Sequence, residues 1–315
     1  MKKKTITEML GTRYPIIMAP MFLVTNTKMM IEALNSGIAA CIPALNFRTD
    51  RKLREGIQNI RNKTKSNGLG VNLIVNKSNV KMMQQLQTCI DLKVDFIITS
   101  LGNPKKVIDL CKPIGIKIFC DVIEENYAKK VQNLGADALV AVNKNAGGHA
   151  GNFDSKELIK RIQKHCSIPI IAAGGVGVKS EVKEKIKEGY SGLSIGSPFI
   201  SCEEADISLE YKQACVNYGK EDIVFTTKIS GTPCTVINTP YVQKTGTKQN
   251  LFEKIISKNK KLKKWIKMIV YFKGMKSIER AAFSNTYKKV WCAGPSIEHT
   301  SKILPVKEII RRLTV

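Results

Sequence analysis

Short apolar segments alternate with longer amphipathic segments through the first two thirds of the chain. The apolar segments are rich in Ile, Val and Ala, which is typical of buried parallel strands, whereas the amphipathic segments repeat their apolar residues at helical spacing. Strands are therefore predicted at 15–19, 37–42, 70–75, 94–99, 116–122, 138–142, 168–173 and 192–195. Helices are predicted at 27–34, 51–62, 80–92, 105–111, 124–134, 156–165 and 179–187.

The order of these elements predicts the fold class. Eight strands that each precede a helix are what an α/β fold of the (β/α)8 TIM-barrel type requires, and a doubly wound sheet more usually has roughly five to seven strands. We predict a barrel domain at 1–202. From 203 the pattern changes to helices and polar loops, which predicts a smaller helical subdomain at 203–290, covering the active site. The segment 291–315 is expected to return to the barrel wall as a last helix.

The composition is that of an ordinary globular protein. The chain has 315 residues, of which 43% are hydrophobic and 24% charged. No apolar stretch approaches the roughly 20 residues that a membrane span requires. Nine cysteines are spread singly with no CxxC pair, a usage that suits a reducing compartment. The expectation is a soluble cytoplasmic protein without a membrane span.

A large positive charge raises the question of a polyanionic partner. The chain has 51 Lys and Arg against 26 Asp and Glu, a formal net charge of +25. The excess is mostly scattered Lys, and the chain has neither a clustered Arg patch nor a repeat of aromatic and basic residues. We therefore predict no specific nucleic-acid partner, and the sequence leaves the oligomeric state open.

Candidate chemistry lies just after the predicted strands, because ligands of TIM barrels bind at the carboxyl ends of the strands. The glycines after strands seven and eight predict a phosphate site, since backbone N–H groups approach an anion closely where side chains are absent. Their spacing is not the dinucleotide pattern GxGxxG. The candidate residues at these ends are Ala19, Pro20, Met21, Asn46, Asn72, Ser100, Asp121, Gly148, His149, Gly174, Gly175, Gly196 and Ser197.

Among the histidines, His149 is the one placed for chemistry, because it lies in a glycine-rich loop after strand six. It is either a base or hydrogen-bond partner of a ligand, or an ordinary loop residue. His165 ends a predicted helix and is expected at the surface, while His299 lies in the C-terminal loop. The three histidines share no helical spacing, and no metal site is predicted.

The cysteines have a structural interpretation as well. Cys41, Cys120 and Cys166 lie near predicted strands and are expected to fill core space. The sequence leaves open whether Cys292 faces a cleft.

Several of these residues belong to motifs in the order seen in a known family. The chain resembles the nitronate monooxygenases, formerly called 2-nitropropane dioxygenases, which include the flavin-type enoyl-acyl-carrier-protein reductases. The similarity runs from about residue 13 to the end of the chain. The motifs are Ile16-Ile17-Met18-Ala19-Pro20-Met21-Phe22-Leu23-Val24, Pro43-Ala44-Leu45-Asn46-Phe47-Arg48-Thr49, Gly70-Val71-Asn72-Leu73-Ile74-Val75, Ile97-Ile98-Thr99-Ser100-Leu101-Gly102, Ala146-Gly147-Gly148-His149-Ala150-Gly151, Ala172-Ala173-Gly174-Gly175 and Ile229-Ser230-Gly231-Thr232-Pro233.

The resemblance implies an FMN-dependent barrel whose flavin lies over the carboxyl ends of the strands. By motif match, Ala19, Pro20 and Met21 would contact the flavin ring and Asn72 its polar edge. Gly174, Gly175, Gly196 and Ser197 would surround the phosphate, and Ser100 and Gly148 are expected as further cofactor contacts. His149 would be the catalytic histidine beside the flavin and the substrate.

The chain departs from the family's pattern at three places. Gly196-Ser197-Pro198-Phe199 stands where many relatives have Gly-Thr-Arg-Phe, so an arginine near the phosphate is lost. The segment 292–298 replaces Ser-Ala-Gly-Gln-Gly-Val-Gly in a loop expected to approach the cofactor. Met18 stands where some relatives place a flavin-contacting glutamine.

The predicted function is the FMN-dependent oxidation of alkyl nitronates by dioxygen. The alternative within the enzymes is an NAD(P)H-dependent flavin oxidoreductase that reduces a quinone or an enoyl thioester. An alternative of another class is a catalytically impaired basic binding protein. It is motivated by the Lys-rich segment 253–276, whose Ile255, Leu262, Trp265, Ile266 and Ile269 share one helical face.

Overall fold

Eight parallel strands close into a barrel, which confirms the predicted fold class. A computed structural model describes residues 4–77, 79–227, 233–247 and 290–314. The barrel strands are β1 (Ile16–Met18), β2 (Ala39–Pro43), β3 (Leu69–Ile74), β4 (Phe96–Ser100), β5 (Lys117–Val122), β6 (Ala138–Val142), β8 (Ile170–Ala173) and β9 (Gly192–Ile195). Each strand pairs with the next along the chain, and β9 closes the ring on β1.

Helices connect the barrel strands and surround them. They are α1 (Ile6–Leu10), α2 (Thr27–Asn35), α3 (Asp50–Lys63), α4 (Met82–Asp91), α5 (Lys105–Cys111), α6 (Glu125–Asn133), α7 (Ser155–Gln163), α8 (Lys179–Lys187) and α9 (Ser197–Ile200). Their buried faces pack on the outward side chains of the strands, as Leu53, Ile57 and Ile60 of α3 do. This outer layer is the larger part of the core.

The barrel interior is filled with side chains at its amino end. Phe96 and Phe119 stack there with their ring centroids 5.1 Å apart. Gly70 lies against the Phe96 ring, where a Cβ atom would come within 2.2 Å of it. Ile6 of α1 is fully buried in the same interior cluster, and its backbone N–H bonds to Ser191 O at 3.0 Å. The amino end of the barrel is therefore closed by α1, and the carboxyl end is left for a ligand.

A second, antiparallel sheet lies at the carboxyl end, and the sequence did not predict it. Its strands are β7 (Gly148–His149), β10 (Ile223–Thr226) and β11 (Cys234–Ile237), in the order β10-β11-β7. The helices α10 (Leu209–Asn217) and α11 (Pro240–Thr245) flank β10 and β11 along the chain. The loop after β6 thus contributes a short strand to a sheet built from later residues.

The chain returns to the barrel at its C-terminal end. Helix α12 (Val306–Thr314) packs against α2 and α8, with Val306, Ile309, Ile310 and Leu313 buried. The predicted helical segment 253–276 and most of the motif at 229–233 lie outside the described residues, so the boundaries 1–202, 203–290 and 291–315 stay a prediction. In the ranges that the structure describes, none of the helices has the length and apolar character needed to span a bilayer.

Candidate active site

A cavity of about 650 Å³ opens at the carboxyl ends of the barrel strands. Its walls are largely apolar, with a few polar groups that converge on it, as is usual for sites of small ligands. Of the further strand-end residues that the sequence named, Asp121 lines the cavity and Asn46 does not, whereas every residue assigned to catalysis or cofactor binding lies on its wall. These residues are Ala19, Pro20, Met21, Asn72, Ser100, Gly148, His149, Gly174, Gly175, Gly196 and Ser197.

The turn after β1 is held in place by the side chain of Asn46. The Asn46 amide donates to Thr25 O at 2.8 Å and to Met21 O at 3.2 Å, and its oxygen accepts from the N–H of Leu23 at 2.9 Å. Leu23 has a φ of +61°, a strained value for a non-glycine residue. Asn46 thereby fixes the turn that carries Ala19, Pro20 and Met21. Its role is structural, although the sequence marked it only as a polar strand end.

The predicted phosphate site combines two glycine turns. Gly174 and Gly175 have φ values of +109° and +72°, and a Cβ atom on Gly174 would lie 2.5 Å from Ala146 N. The N–H groups of Gly175, Val176 and Gly196 donate to no other residue that the structure describes. Such unpartnered donors beside a cavity suit an anion.

The turn that leads into α8 offers few donors to an anion. Glu181 accepts from the N–H of Gly177 at 2.7 Å and from the N–H of Val178 at 3.3 Å, so both donors are already used. The hydroxyl of Ser197 accepts from the N–H of Gly294 at 2.8 Å. An anion would therefore depend on the backbone of the two glycine turns rather than on the helix start.

His149 is positioned by the small antiparallel sheet. It pairs with Cys234 across β7 and β11, and Gly148 pairs with Thr235. The buried hydroxyl of Thr235 donates to Ala146 O at 2.7 Å, with Gly148 O at 3.3 Å. The imidazole is open to the cavity, yet the surrounding protein lowers the pKa of His149 by desolvation of its charged form. A neutral imidazole at neutral pH follows, which can accept a proton or a hydrogen bond.

A chain of polar side chains crosses three neighbouring strands, β3, β4 and β5, in the cavity wall. The Asn72 amide donates to Ser100 Oγ at 2.7 Å and to Ile98 O at 3.1 Å, and the Ser100 hydroxyl donates to Asp121. Burial raises the pKa of Asp121 to about 6, and the Ser100 hydrogen bond partly opposes that shift. Both donors of the Asn72 amide are used within the protein. Asn72 is thus oriented by Ser100 and Asp121, a dependence that single positions in a sequence do not reveal.

The charge of the wall is negative rather than positive. Asp121 and Glu124 both line the cavity, whereas the described lining residues include neither Lys nor Arg. An anionic substrate would therefore be bound by hydrogen bonds and not by an ion pair with these residues.

Two cysteines also face the cavity. Cys234 of β11 and Cys292 both line it, and their Sγ atoms lie 3.9 Å apart. Tyr211 donates to Cys292 O at 2.5 Å and stacks on Trp291, with ring centroids 5.6 Å apart. This answers the question that the sequence left open for Cys292.

The remaining histidines lie elsewhere. His165 is exposed after α7, while His299 contacts Glu181 at 3.1 Å and Glu298 at 3.7 Å outside the cavity wall. These three residues form the one His, Cys, Asp and Glu cluster with metal-ligand spacing among the described residues. Because Glu181 already caps α8 and Lys220 lies 3.5 Å from Glu298, ion pairs and capping account for the cluster.

The sequence pattern of the nitronate monooxygenase family matches residues 31–315. The chain belongs to this family. A protein named "Probable nitronate monooxygenase" from Staphylococcus aureus strain JH9 is 28% identical over 285 residues, which cover 76% of this chain and 80% of that protein. The family is one of oxidoreductases, and the recognition made from the motifs is confirmed.

Solved structures agree with this assignment to the nitronate monooxygenase family. FabK from Thermotoga maritima superposes with a TM-score of 0.83 at 26% identity, covering 98% of this chain and 94% of that chain. The nitroalkane oxidase from Streptomyces ansochromogenes has a TM-score of 0.79 at 18% identity, covering 98% and 96%, and at this identity it supports the fold alone.

The structure shows where two of the departures from the nitronate monooxygenase pattern lie relative to the cavity. Met18 is fully buried in the layer between barrel and helices and is not among the residues that line the cavity, so it does not take the place of a cofactor contact. The segment 292–298 does reach the cavity, through Cys292 and Ser296. Gly294 packs so tightly on Gly147 that a Cβ atom would come within 2.8 Å of Gly147 N.

Proposed function

We propose that the protein is an FMN-dependent enzyme that oxidises alkyl nitronates with dioxygen. Family membership supports an oxidoreductase with a flavin cofactor, while FMN and the nitronate are the finer parts of the proposal. The observation that supports it best is the convergence of the proposed catalytic and cofactor-binding residues, His149 and the glycine turns among them, on one cavity.

The described residues fit a flavin mononucleotide. The unpartnered N–H groups of Gly175, Val176 and Gly196 would hold the phosphate, and Ala19, Pro20 and Met21 would contact the ring. Asn72 would present its carbonyl oxygen to the polar edge, because both of its N–H donors are used by Ile98 and Ser100. Ser100 and Gly148 complete the proposed cofactor contacts. The bound flavin supplies the electron-transfer chemistry, which no side chain of the wall offers.

His149 carries the proposed proton chemistry. Its neutral imidazole donates a hydrogen bond from one ring nitrogen to a nitronate oxygen, or takes the α-proton of a neutral nitroalkane on the other. Apolar residues of the wall, among them Ile74, Ile123 and Val142, accommodate the alkyl chain and limit the access of water. We also propose that segment 203–290 covers the active site, which Tyr211, Pro233 and Cys234 on the cavity wall support.

Spectroscopy of the purified protein tests this proposal. We expect a flavin absorption spectrum, release of FMN on denaturation, and bleaching when an alkyl nitronate is mixed anaerobically. Colour should return when dioxygen is admitted. A protein that stays colourless after incubation with added FMN would exclude the enzyme, and release of FAD would exclude the mononucleotide.

A second candidate is an NAD(P)H-dependent flavin oxidoreductase acting on a quinone or an enoyl thioester. The similarity to FabK over 98% of this chain favours it. Anaerobic mixing with NADH or NADPH separates the two functions. Rapid bleaching by a pyridine nucleotide, without bleaching by nitronates, would support the reductase and contradict the monooxygenase.

The small-molecule partners are thus an alkyl nitronate and dioxygen. We further propose that the protein acts in the cytoplasm, because each of its nine cysteines is a free thiol, as a reducing compartment favours.

A further inference from the structure

Cys234 and Cys292 form a pair of thiols in the cavity wall, although they are 58 residues apart in the chain. Their Sγ atoms lie 3.9 Å apart, in S–H···S contact, and both residues line the cavity. Hydrogen bonds fix both backbones. Ile237 N donates to Trp291 O at 2.9 Å, and Tyr211 donates to Cys292 O at 2.5 Å.

The surroundings favour Cys292 as the nucleophile of the pair. A hydrogen bond from Cys234 lowers the pKa of the Cys292 thiol, and the thiolate is the reactive form of cysteine. At other cysteines of the chain, burial raises the pKa of the thiol. It raises the pKa of Cys111 to about 11 and that of Cys120 and Cys202 to about 12. Cys292 is the least buried of the nine cysteines, all the others being buried.

A metal is a weaker interpretation of the same two thiols. A zinc ion takes three or four protein ligands, and no third His, Cys, Asp or Glu joins the two cysteines among the described residues. Two adjacent thiols without further ligands are instead the arrangement of a dithiol that oxidises to a disulfide.

We propose that Cys234 and Cys292 are a redox-active dithiol that reduces a peroxide. The Cys292 thiolate attacks one oxygen of hydrogen peroxide, so that an S–O bond forms, the O–O bond breaks and water leaves after protonation. The Cys234 sulfur, losing its proton, then attacks the Cys292 sulfenic acid; an S–S bond forms, the S–O bond breaks and a second water leaves. Two thiols are oxidised to one disulfide, and one peroxide is reduced to two waters.

Oxidation of the two cysteines would also affect the part of the cavity wall that carries His149. A disulfide brings the two sulfurs from 3.9 Å to about 2.05 Å, so the side chains of Cys234 and Cys292, and the packing of the segments that carry them, must readjust. Cys234 pairs with His149, and Gly294 packs on Gly147. The dithiol therefore couples the oxidation state of the cavity wall to the position of His149. The inference does not depend on the identity of the substrate.

Mass spectrometry of the purified full-length protein tests the proposal. Tryptic cleavage places Cys234 alone in 229–244 and Cys292 alone in 290–302. After treatment with about one equivalent of hydrogen peroxide, we expect these two peptides linked, the intact mass lower by about 2 Da, and reversal by dithiothreitol. Absence of the linked peptide from peroxide-treated, folded wild type would overturn the proposal.

Variants assign the order of the steps. Cys234→Ser should stop at a Cys292 sulfenic acid that dimedone traps, whereas Cys292→Ser should lose both the adduct and the linked peptide. Cys215→Ser removes a buried thiol and serves as the control that keeps the linked peptide. If a variant loses its native circular dichroism, competition labelling of wild type decides instead. Cys292 must then react with iodoacetamide before the other cysteines, and equal labelling of all of them contradicts the proposal.

Discussion

His149 and Asp121 both line the cavity, and their surroundings move their pKa values in opposite directions. Desolvation lowers the pKa of His149 and raises the pKa of Asp121 to about 6. Both shifts favour the neutral form, because enclosure in the protein penalises either charge. At neutral pH the imidazole is therefore uncharged, while Asp121 is close to the range in which it titrates.

Replacing His149 tests its role directly. We expect His149→Ala to keep bound FMN, because the glycine turns that would hold the phosphate are separate from β7, and to lose turnover by about 10²–10⁴-fold if proton transfer is lost. Neutral nitroalkanes should suffer more than nitronates, which need no proton removed. Steady-state rates with both substrate forms measure this, with the exposed His165→Ala as control. Wild-type turnover of both forms by the variant would make His149 an ordinary loop residue.

Asp121 gives a prediction about stability and pH. Its pKa is about 6 in the folded protein, against an ordinary value of 3.8, so the folded state holds the proton more tightly and loses stability as pH rises through that range. Asp121→Asn removes the cost of burying the ionised carboxylate. We expect it to raise the free energy of unfolding at pH 8 by about 1–3 kcal/mol, and by less at pH 5.

Urea unfolding at the two pH values measures the Asp121 effect. Asp109→Asn, on the exposed side of α5, is the matched control and should change stability little. A difference for Asp121→Asn that grows toward pH 5 would contradict the assigned shift.

The position of single residues at the cavity could be predicted from the sequence, but the contacts between their side chains could not. His149, Asn72 and the glycines lie at or just after the carboxyl ends of strands. Because these ends meet at one face of a TIM barrel, the presence of these residues at one cavity follows from their order along the chain. The contacts of Ser100 with Asp121, of Asn46 with the β1 turn, and of Cys234 with Cys292 join different strands or distant segments. Such contacts depend on register and side-chain direction, which a hydrophobic pattern does not contain.

At the scale of elements, the pairing of β7 with β11 fixes the histidine loop. We expect Thr235→Val, which keeps the side-chain shape, to cost about 1–3 kcal/mol, because Ala146 O loses its buried donor. Turnover should fall in the same direction as in His149→Ala, since the loop that carries His149 loosens. Urea unfolding and kcat measure the two effects, with Thr245→Val on α11 as control. Unchanged kcat at reduced stability would show that this bond does not position His149.

The turn after β8 can be tested by a glycine substitution with a matched control. Gly175→Ala places a Cβ atom at a φ of +72° and 3.1 Å from the Asn145 Cβ. This strain of about 1–2 kcal/mol is relieved when the turn shifts in the free protein. Restoring the turn to hold the phosphate would then weaken FMN binding by about 10-fold, measured by fluorescence titration. Gly115→Ala has a φ of +82° with open space around it and should affect stability without affecting FMN. Equal loss of FMN affinity in both variants would refute a phosphate site at Gly175.

The eight barrel strands could be predicted because they are short, largely apolar runs, and all but the last are followed by an amphipathic helix. The antiparallel sheet could not, for identifiable reasons. Its strand β7 has two residues, Gly148 and His149, which carry no alternation, and its partner β11 comes more than eighty residues later. Long-range pairing of such short strands leaves no local signal.

For the whole molecule, the net charge of +25 makes a prediction about nucleic acids. Binding by scattered lysines should be weak and independent of base sequence, because counterion release is its main driving force. Affinity for two unrelated DNA duplexes, measured against salt concentration, should fall steeply and equally. A complex that prefers one sequence and persists at physiological salt would contradict the expectation.

The closure of the amino end of the barrel by α1 also determines where the protein can be attached to a surface. Ile6 closes the amino end of the barrel, while the cavity opens at the carboxyl ends of the strands. A linker attached ahead of Thr5 would therefore anchor the protein by the end opposite its cavity. Molecules immobilised this way on a sensor chip or a bead would all point their cavities toward the flowing solution, so tethering at this end leaves the path of small ligands unobstructed.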